Sequence, residues 1–161
     1  MAWFDANIVL GHDPDSAHFD RNIYGYWRHA GIYQGPRSSQ FDRIIDAYPG
    51  IGVSARPWDF WKYTYMQLGV YYYTPAGKIG DNLPYDTRVA IADRAASFIG
   101  TPYSFITPKF TVSYFYCSKL IWRAYIDNFI DLDSDGGYYV LPDDISFSQV
   151  VLWKNSFREL L

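Results

Sequence analysis

Tyr114-Phe115-Tyr116-Cys117-Ser118-Lys119-Leu120-Ile121-Trp122-Arg123-Ala124-Tyr125 holds the single cysteine of the chain, at the point where an aromatic run gives way to a helical pattern. Leu120, Ile121, Ala124, Tyr125 and Phe129 fall on one face at three- and four-residue steps. The spacing predicts a helix that begins at or near Cys117 and ends in the stretch Asp131 to Gly137. A thiol at a helix start meets unpaired backbone N–H groups and the positive end of the macrodipole, both of which favour an anion. Its pKa is expected to fall there, further so beside a histidine. The same N–H groups suit the oxyanion of a tetrahedral intermediate. The plain alternative is an inert core cysteine.

Working outward, Tyr85 to Ile99 has the strongest helical pattern, with Val89, Ala92, Ala96 and Ile99 recurring along one face. Gly100 closes that helix and Pro102 prevents its continuation. Strands are expected at Ala6 to Leu10, Tyr26 to Gln34, Gln40 to Tyr48, Ile51 to Ala55 and Gln67 to Tyr73. A short helix or turn is expected at Trp58 to Trp61, a loop at Thr74 to Pro84, and a short strand at Tyr138 to Leu141. The C-terminal segment has no clear boundary signal.

Gly35 to Ser39 reads as a hairpin turn. A turn centred on Arg37 and Ser38 sets Tyr33 opposite Asp42, Gly31 opposite Ile44 and His29 opposite Asp46. Directly paired residues share a face, so the Asp46 carboxylate is expected beside the His29 imidazole. Such a carboxylate fixes the ring's tautomer and stabilises the imidazolium. Alone, His29 reads as structural and Asp46 as solvent-facing. Together with Cys117 each supplies what the others lack.

The bulk composition limits the alternatives. With 161 residues, one domain over 1–161 is expected, large enough to bury a core without disulfide or metal support. Hydrophobic residues at 49% and charged ones at 19% argue against disorder. A net charge of −3 argues against a general nucleic-acid binder. A lone cysteine allows no internal disulfide. No apolar run reaches about 18 residues, so no transmembrane segment is expected. The opening residues Met1 to Asp5 do not read as a signal peptide. The location is therefore cytoplasmic as written, or periplasmic or extracellular if an export signal has been removed.

The stretch IGTPYSF followed by FYCSKLIWRAY resembles the cysteine motif of the NlpC/P60 superfamily, with Gly100, Pro102 and Tyr103 ahead of Cys117 and Ser118. WRHAGIY resembles its histidine motif, but here His29 precedes the cysteine. That order is similar to the circularly permuted branch, which includes YiiX-like proteins and the lecithin:retinol acyltransferase-like enzymes. ANIVL, IIDAYPGIGVSARPWDFW and LPDDI resemble further elements of that branch. The resemblance implies a papain-like α+β fold, the cysteine helix packed on a small antiparallel sheet or half-barrel. It implies Cys117 as nucleophile, His29 as base and Asp46 in the third, orienting position, where YiiX-like proteins more often carry glutamate. Tyr103 matches a tyrosine near the nucleophile that helps to hold the oxyanion, and Tyr116 is expected beside it at the substrate. No cofactor is implied. The expected substrate is a small peptide or other amide-linked molecule, with cell-wall-type peptides the class the superfamily suggests. Two other readings stay open: a lipid-directed acyl hydrolase or acyltransferase using the same thiol, and a catalytically inactive binding module.

No metal is expected. Asp131-Leu132-Asp133-Ser134-Asp135-Gly136 resembles the start of a calcium loop, but Pro142 stands where the closing glutamate belongs. His12 and His18 flank Asp13 and Asp15 in a loop with no zinc-like spacing. The string Trp58, Phe60, Trp61, Tyr63, Tyr65 and Tyr71 to Tyr73 suits either an acyl or sugar groove or half-buried packing.

Overall fold

The computed structural model describes residues 5–13, 20–35, 43–73, 83–148 and the backbone of 151–156. Strands β1 (Ile8–His12), β2 (His29–Gln34), β3 (Arg43–Tyr48), β4 (Gly52–Pro57), β5 (Gln67–Tyr73) and β6 (Val151–Ser156) form one antiparallel sheet in the order β4-β3-β2-β1-β5-β6. Helices α1 (Trp58–Thr64), α2 (Tyr85–Ala96), α3 (Cys117–Ile126) and α4 (Pro142–Ser146) complete the α+β fold. The expected turn over Gly35 to Ser39 lies largely outside the described residues, as do most of the loop from Thr74 to Pro84 and His18.

Both faces of the central strands are covered, so β2 is buried along its whole length and reads as a continuous run rather than an alternation. On one face Ile8, Leu10, Ala30, Ile32, Ile45 and Ala47 meet α2 and α3 through Ile91, Ala95, Leu120, Ile121 and Ala124. On the other, Val9, Tyr33, Ile44 and Leu68 pack with Trp61 and Tyr65 from α1 and its end. Burying a side chain such as Leu120 contributes about 1.5–3 kcal/mol, and α3 buries every residue from Cys117 to Tyr125 except Arg123, so it is the natural anchor of the core.

Several expectations needed correction. Phe129 is 97% exposed and takes a positive φ of 67°, because α3 stops at Ile126 before the apolar face reaches it. α2 ends at Ala96, and its buried face is Ile91, Ala92 and Ala95 rather than Val89 and Ile99. Gly100 does close the segment, at φ 98°. Tyr138 to Leu141 is not a strand: the Val140 carbonyl accepts the Ser118 hydroxyl at 2.5 Å and its N–H donates to the Tyr116 hydroxyl at 3.0 Å, so this backbone is held by α3 instead of a neighbouring strand.

Candidate active site

The register of β2 on β3 differs from the expected hairpin by two residues. Gly31, not His29, stands opposite Asp46, and Tyr33 stands opposite Ile44. A two-residue shift preserves which face each side chain takes, whereas a one-residue shift reverses it. His29 and Asp46 are therefore diagonal neighbours on the α1 face. His29 Nε2 lies 2.8 Å from Asp46 Oδ2, with both side chains at 1% exposure or less. An ionised carboxylate only accepts, so Nε2 carries the proton and Nδ1 holds the free lone pair.

Two glycines make room for this pair. A Cβ on Gly31 would stand 2.5 Å from Ile44 Cγ2 and 2.6 Å from Trp61 Cζ2, and one on Gly11 would stand 2.8 Å from the Tyr65 ring. Their absence lets Trp61 and Tyr65 lie against the imidazole at centroid distances of 4.9 and 5.6 Å, with Tyr48 edge-on at 5.6 Å. Burial among these rings holds His29 below its usual pKa. The bond and charge of Asp46 pull it up, and Arg56 pushes it down.

Arg56, from β4, grips the same carboxylate. Its Nε donates to Asp46 Oδ1 at 3.1 Å and its Nη2 to Oδ2. The guanidinium sits 4.1 Å from the centroids of both Tyr48 and Phe60, in the corner their perpendicular rings form. Sequence reasoning passed over Arg56; the available signal was its place opposite Ile44, two residues along β3 from Asp46 and on the same face.

Cys117 opens α3, and its N-cap Tyr116 is extended with no side-chain cap. The backbone N–H groups of Ala30 and Ser118 and the Ser118 side chain reach the sulfur. Ala30 adjoins His29 on β2, which sets the thiol at the start of the histidine's strand. The depressed pKa expected from the helix start is not found. Cys117 is fully buried, and burial pushes its thiol up to about 12 against the pull of those hydrogen bonds. The thiol thus rests protonated, and thiol and imidazole are each shielded from solvent.

Tyr103 bridges to Phe115 in the strand-like segment before the cysteine, and its hydroxyl donates to Asp20 at 2.9 Å. Burial raises its pKa, and the charge of a Cys117 thiolate is the next cause, so the hydroxyl lies within electrostatic reach of the sulfur. An open depression of about 220 Å³ adjoins it, lined by Gly50, Ile51, Gly52, Pro102 and Tyr103. Tyr116 is placed differently. It is fully buried, packs at a tilt against Phe105 and Tyr139, and its hydroxyl accepts the Val140 N–H. Its contacts are those of a strut between the helix start and the following loop.

The remaining candidates separate from this cluster. His12 bonds the Tyr26 carbonyl at 2.7 Å and stacks on its ring, a packing role. Asp131 accepts the Trp122 indole and the Asp133 N–H. The carboxylates that do converge, to within 4.8 Å, are Asp133, Asp135 and Asp144, the last from α4 rather than the loop. Lys109 pairs with Asp133 at 2.6 Å. In the aromatic string, Trp61 and Tyr65 back His29, Phe60 holds Arg56, and Tyr63 is exposed, so its main use is packing.

Comparison with known proteins agrees with this architecture. The solved structure of the metalloprotein YiiX from Escherichia coli O157:H7 superposes with a TM-score of 0.73 over 94% of this chain and 96% of that one, at 13% identity. YycO of Bacillus subtilis (strain 168), an uncharacterised protein, is 31% identical over 132 residues, which cover 74% of this chain and 45% of YycO. This chain thus spans under half of that relative. No helix among the described residues is long and apolar enough to cross a membrane. The family model described as permuted papain-like amidase enzyme, YaeF/YiiX, C92 family, matches residues 7–135, and with the permuted order of His29 and Cys117 on a papain-like α+β fold, the chain belongs to that family of hydrolases.

Proposed function

We propose that the chain cleaves an amide bond through an acyl-enzyme on Cys117, with His29 as base and Asp46 as the residue that orients it. The observation that carries the reading is the buried His29–Asp46 pair, 2.8 Å apart, on the strand whose next N–H reaches the Cys117 sulfur. Because the thiol rests neutral, proton removal accompanies attack. The sulfur bonds to the carbonyl carbon while its proton passes to Nδ1 of His29. The tetrahedral oxyanion collapses, the C–N bond breaks, and His29 returns the proton to the leaving amine. Water then attacks the thioester carbonyl, giving a proton to His29. The C–S bond breaks, the acid departs, and His29 reprotonates the sulfur.

The N–H groups at the start of α3 are the donors suited to the oxyanion, the Tyr103 hydroxyl can join them on releasing Asp20, and the depression beside Tyr103 suits a substrate side chain. Tyr116 acts through position, by setting the helix start against Val140. Peptides with unusual linkages, such as peptidoglycan stem peptides, are the proposed substrate class. The packing use of the α1 aromatics favours this amide reading over a lipid-directed one.

The test is a panel of such peptides assayed by mass spectrometry with the native chain and with Cys117→Ala. Turnover by the native chain and none by the variant is expected. Equal turnover by both would remove the assignment. Full burial of the sulfur adds a second condition: iodoacetamide must reach Cys117 in the folded chain. Labelling only after denaturation would favour an inactive binding module.

A further inference from the structure

We propose that Arg56 is a positioning residue of the catalytic site, which fixes the Asp46 carboxylate on His29 and offsets its charge so that the imidazole rests as a base. The inference depends on the catalytic reading above and extends it to a fourth residue.

The geometry has three parts. Arg56 contacts both oxygens of Asp46, Nε to Oδ1 at 3.1 Å and Nη2 to Oδ2, while Oδ2 also takes the His29 proton. The carboxylate therefore has one rotamer in which all its bonds are made. The guanidinium is itself held in the corner of the Tyr48 and Phe60 rings, 4.1 Å from each centroid, and its side chain is only 12% exposed. A surface ion pair would leave its arginine free to swing; this one cannot do so without emptying an aromatic slot. Finally, a buried carboxylate bound to histidine favours imidazolium, the form that cannot accept a thiol proton. A cation on the far side of that carboxylate cancels much of this field and leaves the hydrogen bond intact.

The groups that face His29 from each packed element are few. β3 supplies Asp46 and Tyr48, β4 supplies Arg56, the end of α1 supplies Tyr65, and α3 brings Cys117 to the neighbouring Ala30. Arg56 is the one cation among them. Burial holds His29 below its ordinary pKa, and the Arg56 charge acts in the same direction.

Two variants separate charge from geometry. Arg56→Gln removes the cation; Arg56→Lys keeps a cation but cannot fork both oxygens. His29 is followed by NMR through a pH titration, and the lone cysteine by iodoacetamide labelling at fixed pH. In Arg56→Gln the His29 midpoint should rise by about 1 pH unit. In Arg56→Lys the midpoint should stay near that of the native chain while Cys117 labelling slows by about tenfold, the scale of losing one charge-assisted hydrogen bond. Should Arg56→Gln not fold, the labelling rate of Arg56→Lys decides alone. A midpoint that stays or falls in Arg56→Gln, or native-like labelling in Arg56→Lys, overturns the proposal. His29→Ala keeps the two readings apart. If it leaves labelling unchanged, the catalytic reading itself fails. If it slows labelling while the Arg56 variants do not, only the role of Arg56 fails.

Discussion

The two faces of the sheet are built on opposite principles. The α3 face is a packed apolar layer in which Ala30, Ile32, Ile45 and Ala47 meet Leu120, Ile121 and Ala124. The α1 face buries a row of polar groups, His29, Asp46 and Arg56, under Trp61, Tyr65, Tyr48 and Phe60. The first face holds the fold together. In the second, His29, Asp46 and Arg56 are joined to one another, which is the condition under which burial of charge is tolerated. Cys117 belongs to the first face by packing and reaches the second through the Ala30 N–H.

Variants can set the faces against each other. The largest effect is expected from the proposed base: His29→Ala should lower amide turnover by at least about 100-fold, the typical contribution of a positioned base, in a chain whose circular-dichroism spectrum still reports a folded state. Leu120→Ala should do the reverse. It should cost about 2–5 kcal/mol in urea unfolding and leave the His29 titration unchanged below the transition. Gly31→Ala tests the boundary between the faces. Its methyl must displace Trp61 or Ile44, so a loss of about 1–3 kcal/mol is expected together with slower Cys117 labelling, since Trp61 backs the histidine.

A smaller effect is expected from pH. Lys119 is buried beside Thr107, Thr111 and the Tyr114 carbonyl, and burial lowers its pKa from 10.5 to about 8. The folded state therefore holds this proton less tightly than the unfolded state does. The contribution of Lys119 is least favourable below about pH 8 and improves as pH rises toward 10.5. Comparing the native chain with Lys119→Met by thermal melts at pH 7 and pH 9.5 should show a smaller gain with pH in the variant. An identical gain would assign the effect to other groups.

The sequence made the apolar face easier to read than the polar one. The period of Leu120, Ile121, Ala124 and Tyr125 located α3 and its start at Cys117, because burial imposes that period directly. β5 was legible to the residue over Gln67 to Tyr73. The His29–Asp46 contact was reached through a register two residues out, and it survived because faces depend on parity rather than on the exact pairing. Arg56 and the two clearing glycines were not legible. Their roles depend on what stands across the sheet, which no local pattern encodes. α4 was missed although Pro142 at its first position and the acidic pair Asp143 and Asp144 are start signals. Tyr138 to Leu141 misled for the converse reason: its aromatic and branched residues suit a strand, yet α3 claims its backbone.

One carboxylate ties together distant parts of the chain. The Asp143 carboxylate accepts the N–H groups of Tyr26 and Trp27 at 2.9 and 2.8 Å, just ahead of the histidine strand. During synthesis His29 emerges first, the cysteine follows many residues later, and the clasp on Tyr26 and Trp27 comes later still. A nascent polypeptide thus carries the His29 imidazole alone until Cys117 has been made, and leaves the turn ahead of it unclasped until Asp143 follows.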